Sequence, residues 1–240
     1  MPATDNGEHA PAGTYAWFMD PTYVPSLAEV QAAAASPEGS AAADAYYELD
    51  PRTGQYEIWT REYIAGLGSY IARTLIDYDQ PDATVLEVGA GHGRLSGLLR
   101  QDLGARGLAA TVVATDIKPP RETHFPVERL SHDEALEKYQ PTIALSSWML
   151  IHHDWTRAMR KTPSVRDYIL IGIPDMTATP AAWEGYASPE SGEFAIIDLH
   201  YLDALKTQRF QSVGPDLTRG FRRSTDVQPK VANVATVSAL

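Results

Sequence analysis

A chain of 240 residues and 26.3 kDa has room for one domain with an appendage, or for two small ones. Hydrophobic residues at 44% and charged residues at 21% match ordinary globular usage, which excludes a wholly disordered chain. The net charge of -11 opposes general nucleic-acid binding, and the lack of cysteine excludes disulfides, zinc ribbons, iron–sulfur clusters and thiol nucleophiles. No apolar stretch approaches the ~18 residues of a membrane-spanning helix. The acidic start lacks the marks of a signal peptide, so a soluble, cytoplasmic protein with no membrane partner is expected.

In chain order, residues 1–14 read as a disordered tail and 15–59 as an aromatic, partly helical segment. Within it, Ser26-Leu27-Ala28-Glu29 is a capping box that opens a short helix, and Ser36 to Ser40 reads as its stop. Residues 60–240 read as the core. Tyr63, Leu67, Ile71 and Leu75 recur at helical spacing, predicting a helix from Thr60 to Tyr78. Strands are expected at Thr84 to Val88, Thr111 to Thr115, Pro126 to Leu130, Thr142 to Ser146 and Tyr168 to Ile173. Helices after Arg94, after the capping box Ser131-His132-Asp133-Glu134, and around Thr156 to Lys161 alternate with them. That rhythm predicts a parallel sheet covered on both faces. An insert is expected at about 174–193, then a helix near Leu199 to Phe210 and a strand near Val231 to Val237.

The most informative stretch is Glu87-Val88-Gly89-Ala90-Gly91-His92-Gly93-Arg94. Glycines after a first strand let the chain turn tightly and let a ligand approach the backbone closely. A dinucleotide fingerprint fails, because Arg94 stands where a third glycine is needed, and no Gly-Lys pair supports a phosphate loop. Glu87 before the loop would repel a pyrophosphate and suits an ammonium or sulfonium group. Asp116, at the tip of the next strand, is placed to accept ribose hydroxyls. A ligand with a cationic amino-acid end and a nucleoside end fits, and S-adenosylmethionine is one.

At these residues the sequence resembles the class I S-adenosylmethionine-dependent methyltransferases, over roughly Tyr63 to Ile173. The resemblance implies a seven-stranded, mostly parallel, doubly wound α/β sheet with helices on both faces and an N-terminal helical and aromatic lid. It implies S-adenosylmethionine as cofactor, held by Glu87, Gly89 and Gly91 at the methionine end and by Asp116 at the ribose, with Ala90 and Ser147 also in the cofactor site. Ile117, Ser131 and His132 would meet the adenine, although the capping box alone also explains Ser131.

Methyl transfer is chiefly positioning, and a base is needed only for a protonated acceptor. His153-Asp154-Trp155 is similar to the His-Asp-Trp of small-molecule O-methyltransferases, making His153 the first candidate base and His152 the second. The spacing from Trp148 departs from that pattern, so a purely structural role for both histidines stays open. Adjacent side chains do not converge on one ion, so no metal site is expected. The fourth strand leads into Ser146-Ser147-Trp148-Met149 rather than the motif of nucleic-acid amino-methylating enzymes. The basic run Arg219-Gly220-Phe221-Arg222-Arg223 reads as a solvated face. Tyr47, Trp59, Tyr63, Trp148 and Trp183 are the candidates for an aromatic acceptor pocket, and the acceptor is expected to be a small molecule. Binding without methyl transfer and a peptide acceptor remain alternatives, and a monomer or homodimer is expected.

Overall fold

The computed structural model describes residues 20, 22–47, 56–123, 125–184, 194–206 and 216–224, with side chains left out for 43–47. The expected tail, Tyr46 and Tyr47 as side chains, residues 185–193 of the expected insert and the strand near Val231 lie outside the described residues. Two helices open the description, α1 (Leu27–Ala34) and α2 (Pro37–Tyr47). The Ser26 capping box is formed at α1 as its sequence requires. Helix α1 ends at Ala34, before the expected stop at residues 36–40, and those residues then open α2. Pro37 takes the first helical position, where its missing N–H costs nothing, and Ser36 Oγ accepts the Gly39 N–H at 3.0 Å.

The core begins with α3 (Arg61–Asp77), capped by the Thr60 hydroxyl, and continues β1 (Thr84–Val88), α4 (Arg94–Ala105), β2 (Thr111–Asp116), β3 (Glu128–Arg129) and α5 (His132–Tyr139). It runs on through β4 (Ile143–Ser147), α6 (Thr156–Lys161), β5 (Asp167–Gly172) and α7 (Pro180–Glu184) to β6 (Phe194–Asp198), a short 3-10 helix (His200–Leu205) and β7 (Leu217–Arg223). The seven strands lie in the order β3-β2-β1-β4-β5-β7-β6. All pairs are parallel except those made by β7, which runs antiparallel to β5 and β6.

Alternation along the central strands explains why they read as continuous apolar runs. Val85, Val112, Ile143, Leu145 and Ile169 face α3, α4 and the 3-10 helix in one core. Leu86, Val88, Ala144, Tyr168 and Leu170 face α5, α6 and α7 in the other. The strand order reverses between β1 and β4, which opens a crevice at their carboxyl ends.

Three expectations change. The third strand shrinks to Glu128–Arg129 at the sheet edge, where Pro126 has no N–H to give a ladder. The basic run 219–223 is no solvated face. It forms most of β7, and its charges are spent inside: Arg222 pairs with Asp167 at 3.0 Å, Arg223 donates to the Val165 carbonyl at 2.9 Å, and Arg219 to the Trp183 carbonyl at 2.7 Å. The helix expected near Leu199 to Phe210 is a 3-10 helix, His200–Leu205, between β6 and β7, and residues 207–210 lie outside the described residues.

Candidate functional site

The glycine loop leaves β1 with Gly89, Gly91 and Gly93 all at positive φ. At Gly89 the requirement is also steric: a Cβ there would lie 2.6 Å from the Trp155 ring. The loop is braced by two carboxylates. Glu87, 2% exposed, accepts the Ser96 N–H at 3.0 Å and its hydroxyl at 2.5 Å on the first turns of α4. Burial raises its pKa to about 7; the Ser96 bonds oppose this, and the Asp116 charge adds to it. Asp116 ends β2 and accepts the Gly91 N–H at 3.0 Å and the Lys118 N–H at 2.8 Å, tying the loop to the neighbouring strand. A carboxylate oxygen has more than one lone pair, so these bonds leave it acceptor capacity toward the crevice.

Above the loop lies a cavity of about 570 Å³, within the ~300–1,000 Å³ of small-molecule sites. Glu87, Gly89, Ala90, Gly91 and Asp116 line its floor, and Ser147 lines it from the end of β4. Ile117, 66% exposed, stands at its edge. Ser131 also lines the cavity, but its hydroxyl is taken up by the capping box with Glu134. Next to it, the His132 ring stacks on Trp155 at 5.5 Å.

The opposite wall is aromatic. Trp148 follows β4 with φ at 55°, a conformation bulky residues rarely adopt. Three contacts hold it there. Its N–H donates to the Ile171 carbonyl at 2.8 Å, its indole N–H donates to Glu57 at 2.8 Å, and its ring stacks on Tyr56 at 5.2 Å. Trp59 joins this wall, and exposed His153 reaches the cavity beside Trp155. Asp154 does not orient that imidazole. It accepts the Thr156 N–H at 3.1 Å as the start of α6 and lies 3.8 Å from Arg160.

Three candidates stand elsewhere. His152 is exposed at φ 67°, its N–H bonded to the Ala178 carbonyl, and it is not part of the cavity lining. Tyr63 is wholly buried behind Trp59, with its hydroxyl on Thr218 at 2.8 Å. Trp183 is buried in the second core, donating to the Thr177 carbonyl at 3.1 Å. Both aromatics serve packing. Conversely, Glu57, His92 and Arg94 line the cavity without having been singled out. His92 and Arg94 sit inside the glycine motif itself. Glu57 sits between Tyr56 and Trp59, an acidic residue in an aromatic run that carries no helical or strand period. Among the described residues no group of three or more His, Asp or Glu side chains is placed to hold a metal ion.

Seven strands, mostly parallel, with helices on both faces and a glycine loop after β1 agree with the expectation drawn from the sequence. The architecture is the seven-stranded, doubly wound α/β sheet that the resemblance implies. Similar solved structures include the DszA carbon methyltransferase, at TM-score 0.45 and 13% identity over 76% of this chain and 55% of that one. Another is the citrinin polyketide synthase CMeT domain, at 0.44 and 13% over 79% and 57%. A third is the magnesium protoporphyrin IX methyltransferase of Synechocystis PCC 6803 with bound S-adenosylmethionine, at 0.39 and 15% over 84% and 99%. The chain spans a little over half the length of the first two. No protein-family model and no curated protein matches it.

Proposed function

We propose that this chain binds S-adenosylmethionine in the cavity above the glycine loop and transfers its methyl group to a small organic acceptor. One observation carries the reading: Glu87 and Asp116 flank a glycine loop on the floor of a single cavity whose far wall is Trp148, Trp59 and Tyr56. The donor set fits the ligand. A buried carboxylate that gains from a nearby cation suits the ammonium end, and a strand-tip carboxylate suits a ribose diol. Gly89, Ala90 and Gly91 give the amino-acid end its approach, while Ile117, Ser131 and His132 flank the base. When bound, the sulfonium supplies an electrophilic methyl group.

The chain's own residues then orient and shield. The aromatic wall excludes water and presents flat apolar surface to the acceptor. Of the two candidate bases, His153 lines the cavity, which supports it as the group that takes a proton from a protonated acceptor. Calorimetry with S-adenosylhomocysteine tests the cofactor. The wild type binds, and Asp116→Ala weakens binding by roughly 10- to 100-fold, the worth of a charge-assisted hydrogen bond. Incubation with methyl-labelled cofactor and a metabolite extract then places label in a low-molecular-weight product. Absence of cofactor binding, or NAD binding in its place, rejects the proposal; label only on protein shifts the acceptor to a peptide.

A further inference from the structure

The cavity wall opposite the glycine loop holds a carboxylate that methyl transfer as described above does not use. Glu57 is 1% exposed yet lines the cavity, and its Oε1 accepts the Trp148 indole N–H at 2.8 Å. The cation beside it is shared. Lys206 Nζ stands 3.7 Å from Glu57 but 2.5 Å from Asp216, and all three side chains are buried. Asp203, on the 3-10 helix, lies within the same lysine's electrostatic reach. With its carboxylates ionised, the cluster therefore holds more negative than positive charge. Burial pushes the Glu57 pKa well up, Lys206 opposes this, and Asp216 adds to it. A buried carboxylate in that position gains from one more positive charge.

The same wall offers π faces to a cation. Tyr56 and Trp148 stack with 17° between their planes, and Trp59 lines the cavity beside them. A cation over such rings, away from water, is stabilised by the ring quadrupole. Among the described residues, the lysine and arginine of the lining are Lys118, just past β2, and Arg94, at the start of α4, and this wall is contributed by Glu57 and the three rings. We infer that the acceptor, on the methyl-transfer reading above, is an amine that binds as its cation, with Glu57 accepting its N–H and the aromatic wall covering its charge and apolar body; that proton passes to the Glu57 carboxylate before the freed nitrogen lone pair attacks the methyl, and the thioether of S-adenosylhomocysteine leaves. An alcohol of the same shape brings no charge to offset the cluster, so the wall discriminates between them.

The test is calorimetric titration of the full chain, with and without S-adenosylhomocysteine, using 2-phenylethylamine and 2-phenylethanol as probes of equal skeleton. The amine is expected to bind about tenfold or more tightly than the alcohol in the wild type. That ratio is expected to fall to within about twofold in Glu57→Gln, which keeps the shape and removes the charge. Trp148→Phe, which removes the larger π face and the indole N–H on Glu57 but leaves the Lys206–Asp216 pair untouched, lowers the ratio severalfold and serves if Glu57→Gln does not fold. Equal or tighter binding of the alcohol, no binding of the amine, or a preference unchanged in both variants overturns the inference. A wild type that prefers the amine but fails to bind S-adenosylhomocysteine leaves the amine site standing and rejects the cofactor reading; the opposite pattern rejects the amine site alone.

Discussion

The ring of Trp155 occupies the space that a Cβ on Gly89 would need, at 2.6 Å. Sequence distance hides this pairing: one residue turns the chain out of β1, and the other precedes α6. The loop's first glycine is therefore required by the indole packed on it as well as by ligand approach. Gly89→Ala adds a clash to the ~1–2 kcal/mol that a side chain costs at positive φ. We expect it to weaken S-adenosylhomocysteine binding and lower the melting temperature. The same change made in a Trp155→Ala background is expected to cost less, because the clash is gone; a fully additive pair would disprove the steric account.

Glu87 gives a pH dependence with a definite sign. Its folded pKa of about 7 lies above its ordinary value of 4.5, so between these the folded state keeps a proton that the unfolded chain has released. Its contribution is therefore most favourable below about 4.5, declines as pH rises, and is lost above about 7. The span is on the order of 3 kcal/mol. Urea denaturation of wild type and Glu87→Gln at several pH values is expected to show the variant gaining relative stability across that window. A constant difference would contradict it.

The same titration bears on the ligand. A cationic ligand end beside Glu87 favours its ionised form, so binding of S-adenosylhomocysteine is expected to release protons near pH 6 and to tighten toward pH 8. Calorimetry in buffers of different ionisation enthalpy measures the proton count. Proton uptake at pH 6 would show that the ammonium end lies elsewhere.

Asp167 and Arg222 face each other across the β5–β7 ladder, and Asp167 also accepts the Tyr70 hydroxyl at 2.7 Å. Asp167→Ala leaves the guanidinium without its carboxylate in a largely buried place. A loss of about 3 kcal/mol in unfolding free energy is expected, with cofactor affinity in the folded variant unchanged. Denaturation and calorimetry on one preparation separate the two effects.

His153 lines the cavity, whereas His152 does not. If His153 takes the acceptor's proton, His153→Ala lowers kcat by ~10²–10⁴-fold and leaves cofactor affinity nearly unchanged. His152→Ala is expected to be close to wild type in kcat. Loss of cofactor binding by His153→Ala would assign that side chain to shaping the loop.

Local chemistry alone determined much of this protein. The capping boxes at Ser26 and Ser131, the alternation that buries β1, β4 and β5 on both faces, and the glycine loop between two acidic strand tips each depend on residues close in sequence. Periodicity and turn chemistry express such features directly. What only the tertiary structure decided are the pairings at long range. Arg219, Arg222 and Arg223 look like a solvated patch until β7 sets them against Asp167 and the carbonyls of Arg160, Val165 and Trp183. Tyr63 and Trp183 look like pocket walls until packing buries them. Glu57 becomes part of the cavity only because Trp148, 91 residues later, donates to it and Lys206 comes within 3.7 Å. A charged side chain's role depends on which partner the fold brings to it, and no local period encodes that partner.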